Sequence, residues 1–257
     1  MDYFWIAQKQ FLKDYSLSEF PKEQIYIQKS IPFGSQAMNY LSGTPFLNFV
    51  YFGSNLFISA HPMIYDFVNE YAKRCEKELF RVFDAPNILH LNNELERHGY
   101  TIAHLAQYFL PDASFSFKPS NAYPIKLLQQ EQIEPLYGLG FDMALCGNTK
   151  GKRKDILASV CEMDGQIVGV AGCTNDSEDL WQIGVDVLPQ YRNRGIGTAL
   201  VVHLKEEILK RGKCPFYCCA WSNLASKRLA RKAGFVDAWV ELSAKSIEED
   251  WIKKIRK

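Results

Sequence analysis

The sequence predicts an α/β protein of two domains. Three observations carry this. An Asp164-Gly165 turn joins two β-rich runs, apolar residues recur at three- and four-residue spacing beside such runs, and a Pro- and Ser-rich stretch (LPDASFSFKPSNAYP, 110–124) separates two patterned regions. The domains are therefore expected at 1–115 and 120–245, followed by a C-terminal helix at 246–257.

In the first region, FLNFVYFGSNLFISA (46–60) reads as a hairpin turning at Gly53-Ser54, since Gly supplies a positive φ. Met63, Ile64, Phe67, Val68 and Tyr71 then mark a helix opened by Pro62. ELFRVF (78–83) is expected as a strand, Asn87 to His98 as a helix stopped by Gly99, and TIAHLAQYFL (101–110) as a strand. In the second region, ILASVCEM (156–163) and QIVGVAGCT (166–174) flank the Asp-Gly turn, and DLWQIGVDVL (179–188) follows as a third strand. A helix is expected over Thr198 to Arg211, a strand at FYCCAW (216–221), a helix at Leu224 to Lys232 and a strand at FVDAWVEL (235–242). The order is β-β-β-α-β-α-β, and the first region partly repeats it. The tail has Ser246 and Glu249 in capping-box spacing, with Lys253, Lys254, Arg256 and Lys257 in its last turn.

Composition limits the function classes. Thirty Lys plus Arg against twenty-nine Asp plus Glu leave a net charge of +1, so no global field draws the chain to nucleic acid or to a membrane. The run Lys150, Lys152, Arg153 and Lys154 reads as a mobile surface loop, with contact to an anionic ligand as the alternative. Seven scattered cysteines without a Cys-x-x-Cys pair fit neither a disulfide framework nor a zinc site, which points to a reducing cytoplasm and no metal. Met1 to Phe11 lacks the basic and apolar regions of a leader, and no apolar run approaches the ~20 residues that span a bilayer.

The chemistry lies in VDVLPQYRNRGIGTALVVHL, where a strand ends at Pro189 and an Arg-x-x-Gly-x-Gly segment feeds a helix. Glycines at 195 and 197 let backbone approach a ligand, and the amides at a helix N-terminus face it with the positive dipole end behind them. A diphosphate suits such a place; a tight turn needs the same glycines.

This segment, Arg192-Asn193-Arg194-Gly195-Ile196-Gly197, resembles the GNAT superfamily of acetyl-CoA-dependent N-acetyltransferases, as does a second element formed by Asn223, Ala225, Ser226, Gly234 and Phe235. The resemblance covers about 120–243. It implies a mixed, largely antiparallel GNAT sheet flanked by helices, with a smaller α/β N-terminal domain that could be a degenerate copy. There, Ser59-Ala60-His61-Pro62 stands where a phosphate loop would be. The resemblance also implies that Arg192, Asn193, Arg194, Gly195, Ile196, Gly197 and Thr198 wrap the CoA pyrophosphate. The backbone of Asp186, Val187 and Leu188 would pair with the pantetheine arm, and Asn223 and Ser226 would lie beside it. Asn223 equally suits an ordinary helix cap.

Two positions depart from the family pattern. Gln182 stands where many members have a Glu base, and Ala230 where many have a Tyr acid; neither side chain can exchange protons at neutral pH. Asp186 is a candidate base on the same strand face as Gln182, although that position also suits a polar residue at a splayed strand end. Glu162 and Tyr217 are further candidates for proton handling. Cys219 is weighed as a nucleophile and set aside as a core residue, and His203 as a packed or surface histidine. The function expected is acetyl transfer from acetyl-CoA to a primary amine by direct attack in a ternary complex. The acceptor would be a small molecule or a peptide, with no nucleic acid or membrane partner, and a homodimer is compatible with the sequence. The alternative is a CoA-binding sensor or partner module with weak or no catalysis.

Overall fold

The computed structural model describes residues 1–115 and 123–256; 116–122 and Lys257 lie outside the described residues, as do the side chains of Asp250, Ile255 and Arg256. The expected connection at 110–124 is thus described only at its ends. In chain order the elements are α1 (Tyr3–Tyr15), β1 (Ile25–Lys29), β2 (Leu47–Phe52), β3 (Asn55–Ala60), α2 (Tyr65–Arg74) and α3 (Ala85–Arg97). They continue with β4 (Tyr100–Pro111), β5 (Ile125–Gln129), β6 (Asp155–Met163), β7 (Gln166–Asn175) and β8 (Leu180–Val187). The last are α4 (Ile196–Lys210), β9 (Cys214–Ala220), α5 (Leu224–Lys232), β10 (Phe235–Ser246) and α6 (Asp250–Arg256). No described helix is long and apolar enough to cross a membrane.

The chain divides into two compact units. The first holds Met1–Phe11, Gln36–Leu41 and Tyr108–Asp237; the second holds Leu12–Ser35, Ser42–Gln107 and Ala238–Lys257. Two short N-terminal segments thus group with the second half of the chain.

In the first unit the strand order is β4-β9-β8-β7-β6-β5, with β4 entering through Tyr108–Pro111. Strands β5 to β8 pair antiparallel, whereas β8 and β9 are parallel. The β6–β7 hairpin turns at Asp164 and Gly165, both with positive φ (51° and 77°), as the Asp-Gly dipeptide requires. One sheet face is covered by α4, whose Ile196, Leu200, Val201, Leu204 and Ile208 join Val168, Ile183 and Phe235 in a buried cluster. The other face is covered by the segment around Ile133, Leu136, Phe141, Ala144 and Leu145, packed on Ala158, Val160 and Val170. That segment comes within backbone contact of two register-paired glycines, Gly172 and Gly184. A Cβ on Gly172 would lie 2.2 Å from the Ala144 carbonyl oxygen, and one on Gly184 2.5 Å from that of Met143.

The second unit has the order β1-β3-β2-β10-β4, with β1 parallel to β3 and β2 antiparallel to both β3 and β10. Its aromatic residues stack on one another: Phe46 on Tyr100 at 3.7 Å between ring centroids, and Phe52 on Trp239 at 5.5 Å.

Three expectations are corrected. The strand expected at 78–83 is a 3-10 helix over Leu79–Phe83, because Leu79, Val82 and Phe83 are the buried positions and Arg81 bonds Glu78 and Asp84 at i−3 and i+3. The tail does not cap a helix at Ser246. Strand β10 runs to that residue, the Ser246 hydroxyl accepts from the Glu248 amide in a turn, and α6 begins only at Asp250, three residues later than the capping box implied. Of the expected tail cations, Lys253 pairs with Glu248, while the Arg256 side chain and Lys257 lie outside the described residues. Third, Arg153 does not belong to a solvated loop: its side chain is only 33% exposed and pairs with a fully buried carboxylate.

If the close approach of the 142–145 segment to the sheet fixes these glycines, Gly172→Ala should lower stability by ~1–3 kcal/mol, the usual cost of overpacking. Thermal unfolding reads this directly. An unchanged midpoint would show that the segment does not rest on Gly172.

Candidate active site

The parallel ladder between β8 and β9 is short. Its register runs from Leu180↔Cys214 to Ile183↔Tyr217, yet β8 continues to Val187 and β9 to Ala220. Beyond Ile183 and Tyr217 the strands fork, and backbone groups that would face a neighbouring strand are left to find other partners. The Leu188 amide donates to Val168 O on the β7 side, so by alternation the Val187 backbone faces the fork. There the Val187 amide donates to Asp186 Oδ1 at 3.1 Å, and Arg192 Nε donates to Val187 O at 2.8 Å. Side chains thus occupy the groups that an added extended ligand would pair with.

The loop after β8 passes through a 3-10 turn at Pro189–Tyr191 and enters α4. Asn193 and Gly195 take positive φ values (61° and 91°), which turn successive amides to one side. Among the described residues, the amides of Asn193, Arg194, Gly195, Ile196, Gly197 and Thr198 donate no hydrogen bond. They lie at the N-terminus of a fifteen-residue helix. The Tyr123 hydroxyl donates to Arg194 O, and the Arg194 guanidinium lies over the Tyr191 ring, which fixes the loop from outside. Gly197 has a separate reason to be glycine. A Cβ there would lie 2.9 Å from Leu229 Cδ1, so it allows α4 and α5 to approach.

Val185 and Val187 pack with the α4 cluster, so Gln182, Gly184 and Asp186 face the opposite side of the sheet. On that side is a cavity of about 180 Å³ walled by Met143 to Cys146, Gly172, Gly184, Asp142, Arg153, Thr174 and Gln182. A buried carboxylate holds its outer wall in place. Asp155 accepts from Tyr137 Oη and from the amides of Cys146, Gly147 and Asn148 at 3.0–3.4 Å. The cavity's polar corner is a network. Arg153 Nε donates to Asp176 Oδ1 at 2.7 Å, and its Nη2 donates to Thr174 Oγ1 at 3.3 Å and to Gln182 Oε1 at 3.1 Å. Thr174 Oγ1 donates to Asp176 Oδ2, and Gln182 Nε2 donates to Cys218 Sγ. Burial raises the Asp176 carboxyl above its ordinary range, with Arg153 pulling it back down.

The sequence-derived candidates fall in different places. Asp186 lies at the fork, 3.7 Å from Arg192, with its carboxylate bonded to the Val187 amide. Tyr217 occupies the last paired position; its hydroxyl is 2.6 Å from Ser226 Oγ, and burial pushes it up to about 12. Asn223 caps α5, its Oδ1 accepting from the Ser226 amide at 3.0 Å. Glu162 is not brought to the fork: it lies on β6, pairs with Lys126 of β5, and is separated from β9 by β7 and β8. Ala230 is the fully buried position of α5. His203 is packed as expected, its Nδ1 2.7 Å from Ser159 Oγ, and burial raises the Cys219 thiol. Sequence reasoning missed the Arg153–Asp176–Thr174 corner. Its one signal was a cationic run in which a single member turns inward.

Tyr217 and Ser226 tie β9 to α5 just at the crotch of the fork. Tyr217→Phe and Ser226→Ala should each cost ~0.5–1.5 kcal/mol, and the double variant less than the sum. Denaturant titration of the four proteins tests this; strict additivity would mean that the hydroxyls do not interact.

A sequence model described as Acetyltransferase (GNAT) family matches residues 125–235. No curated protein matches the chain. Among solved structures, a GCN5-related N-acetyltransferase-like protein from Streptococcus suis 89/1591 is 17% identical, covering 76% of this chain and 82% of that one with a TM-score of 0.46. A GCN5-related N-acetyltransferase from Sphaerobacter thermophilus is 18% identical, covering 75% and 72% with a TM-score of 0.45. An acetyltransferase of the GNAT family from Novosphingobium aromaticivorans is 19% identical, covering 57% and 66% with a TM-score of 0.44. The forked β8/β9 pair and the glycine loop lie inside the matched segment, and residues 125–235 form a domain of the GNAT acetyltransferase family.

Proposed function

We propose that the protein is an acetyl-CoA-dependent N-acetyltransferase that acts on a primary amine by direct attack in a ternary complex. The observation that carries this reading is the pairing of a forked parallel ladder with six unbonded amides at the start of α4. Those amides, the helix dipole and the exposed Arg192 and Arg194 suit a diphosphate, and the fork suits an extended amide-bearing arm. Acetyl-CoA, when bound, supplies an activated acetyl thioester. Direct attack asks of the protein mainly orientation, a backbone donor for the carbonyl oxygen and a route for one proton.

The chain's own residues divide this work. The Val187 amide faces the fork and is the donor available to a carbonyl once Asp186 releases it. Asp186 shares its strand face with Gln182 and Gly184, which line the cavity, and is the base we assign. Tyr217, with its hydroxyl pushed up to about 12, stays protonated at neutral pH and serves as a donor at the crotch of the fork.

A second reading, a CoA-binding module without turnover, is favoured by the environments of Gln182 and Ala230. One is locked to Arg153 and Cys218, and the other is buried in apolar core.

Calorimetric titration with CoA and acetyl-CoA tests the cofactor site. Binding should weaken at least tenfold in the Arg192→Glu/Arg194→Glu protein, whose two changes lie on exposed side chains. A substitution at Gly197 would be less clean, since it also disturbs the α4–α5 contact. Absence of CoA binding in the unmodified protein would overturn the reading. Binding without acyl transfer to any amine in a screen would leave the non-catalytic module. For proton handling, Asp186→Asn should lower kcat and remove the acidic limb of the pH profile, because a carboxylate base is active only above its pKa. A profile with its acidic limb intact would clear Asp186.

A further inference from the structure

We propose that the cavity beside the fork selects an acceptor that carries a carboxylate as well as its amine, and that Arg153 is the residue that binds this carboxylate. The inference rests on the acetyl-transfer reading of the fork. Arg153 projects from the 150–154 loop into the cavity wall next to Gln182 and Gly184, the strand residues that lead to Asp186. Its Nε and Nη2 are committed to Asp176, Thr174 and Gln182, which hold the guanidinium plane in place. Its Nη1 has no partner among the described residues, and a third of the side chain is exposed. A guanidinium anchored through Nε and Nη2 and open at Nη1 is preorganised for an anionic oxygen, and the rotamer cost of ordering it is already met within the protein.

The corner is built rather than incidental. Asp176 is fully buried behind Arg153, and the 36–41 segment is laced over it. The Asn39 amide donates to Asp176 O at 2.6 Å, Asn39 Nδ2 donates to Asn175 O and Lys152 O, and the Tyr40 ring faces the guanidinium at 5.9 Å. The cavity's size, about 180 Å³, suits a small zwitterion better than a polypeptide. Gln182 sharpens the selection. A carboxylate at this position would add a second anion beside Arg153, already paired with Asp176, and repel a ligand carboxylate, whereas the neutral amide accepts one hydrogen bond and adds no charge.

The test measures equilibrium binding of the L-amino acids and of their C-terminal amides, with and without saturating CoA. In the unmodified protein at least one acid should bind ten or more times tighter than its amide. Arg153→Gln should abolish the difference. Because that variant leaves Asp176 buried without its partner and could unfold, Gln182→Glu provides the second arm: it keeps the Arg153–Asp176 pair and should also remove the preference. Failure of every acid to bind, equal binding of acids and amides, or a preference that survives in folded Gln182→Glu would each overturn the proposal. CoA titration of the same samples is read separately, so loss of CoA binding sinks the acetyl-transfer reading without deciding the role of Arg153.

Discussion

The site depends on the early end of one parallel strand pair. Strands β8 and β9 share only four register pairs, and each is then held by different neighbours. On one face of β8, the carbonyls of Met143 and Ala144 rest on Gly184; on the other, Val185 and Val187 lie against Gly197 and the α4 cluster. Strand β9 is instead fastened to α5 through Tyr217 and Ser226, and Asn223 starts that helix immediately after the strand. Two twisted strands anchored to separate elements diverge, and the divergence exposes main-chain groups in the middle of a sheet, where they would ordinarily be consumed.

The polar groups near the fork are placed under the same constraint. Asp155 collects four donors and so fixes the chain that forms one cavity wall; an apolar residue there would strand three amides and a phenol. Asp176 and Arg153 form the opposite corner. A buried ion pair recovers its desolvation cost only when the remaining hydrogen-bonding positions are filled, and Thr174 and Gln182 fill most of those here. The arrangement is therefore weak evidence of stabilisation and stronger evidence of positioning, because it holds a guanidinium at one orientation in a cavity wall.

Much of this was legible in the sequence. The Asp164-Gly165 turn, the Gly195 loop and the α5 span from Leu224 to Lys232 each rest on local chemistry that tertiary context does not overturn. Other elements needed context. In α1, Ala7, Gln10, Phe11 and Asp14 are buried at helical spacing, but two of these four are polar, so the periodicity was masked. Strand β5 is a short, half-exposed edge paired only with β6, and nothing local distinguishes it from the connection before it. The segment at 79–83 was read by apolar content, when its Glu78, Arg81 and Asp84 spacing already favoured helical geometry. Arg153 could not be singled out among four neighbouring cations, because its partner Asp176 lies twenty-three residues away beyond two strands.

The departure at Gln182 and the placement of Arg153 are best understood together. With Glu at this position, a second carboxylate would lie within hydrogen-bond reach of a guanidinium already paired with Asp176 in a partly buried site. The Gln amide adds no second anion beside the Arg153–Asp176 pair: its oxygen accepts from Arg153 and its nitrogen donates to Cys218. The cost is a base lost from its usual strand position. The amide at 182, four residues before Asp186, thus leaves the Arg153–Asp176 pair intact and leaves Asp186 as the acidic side chain on this face of β8.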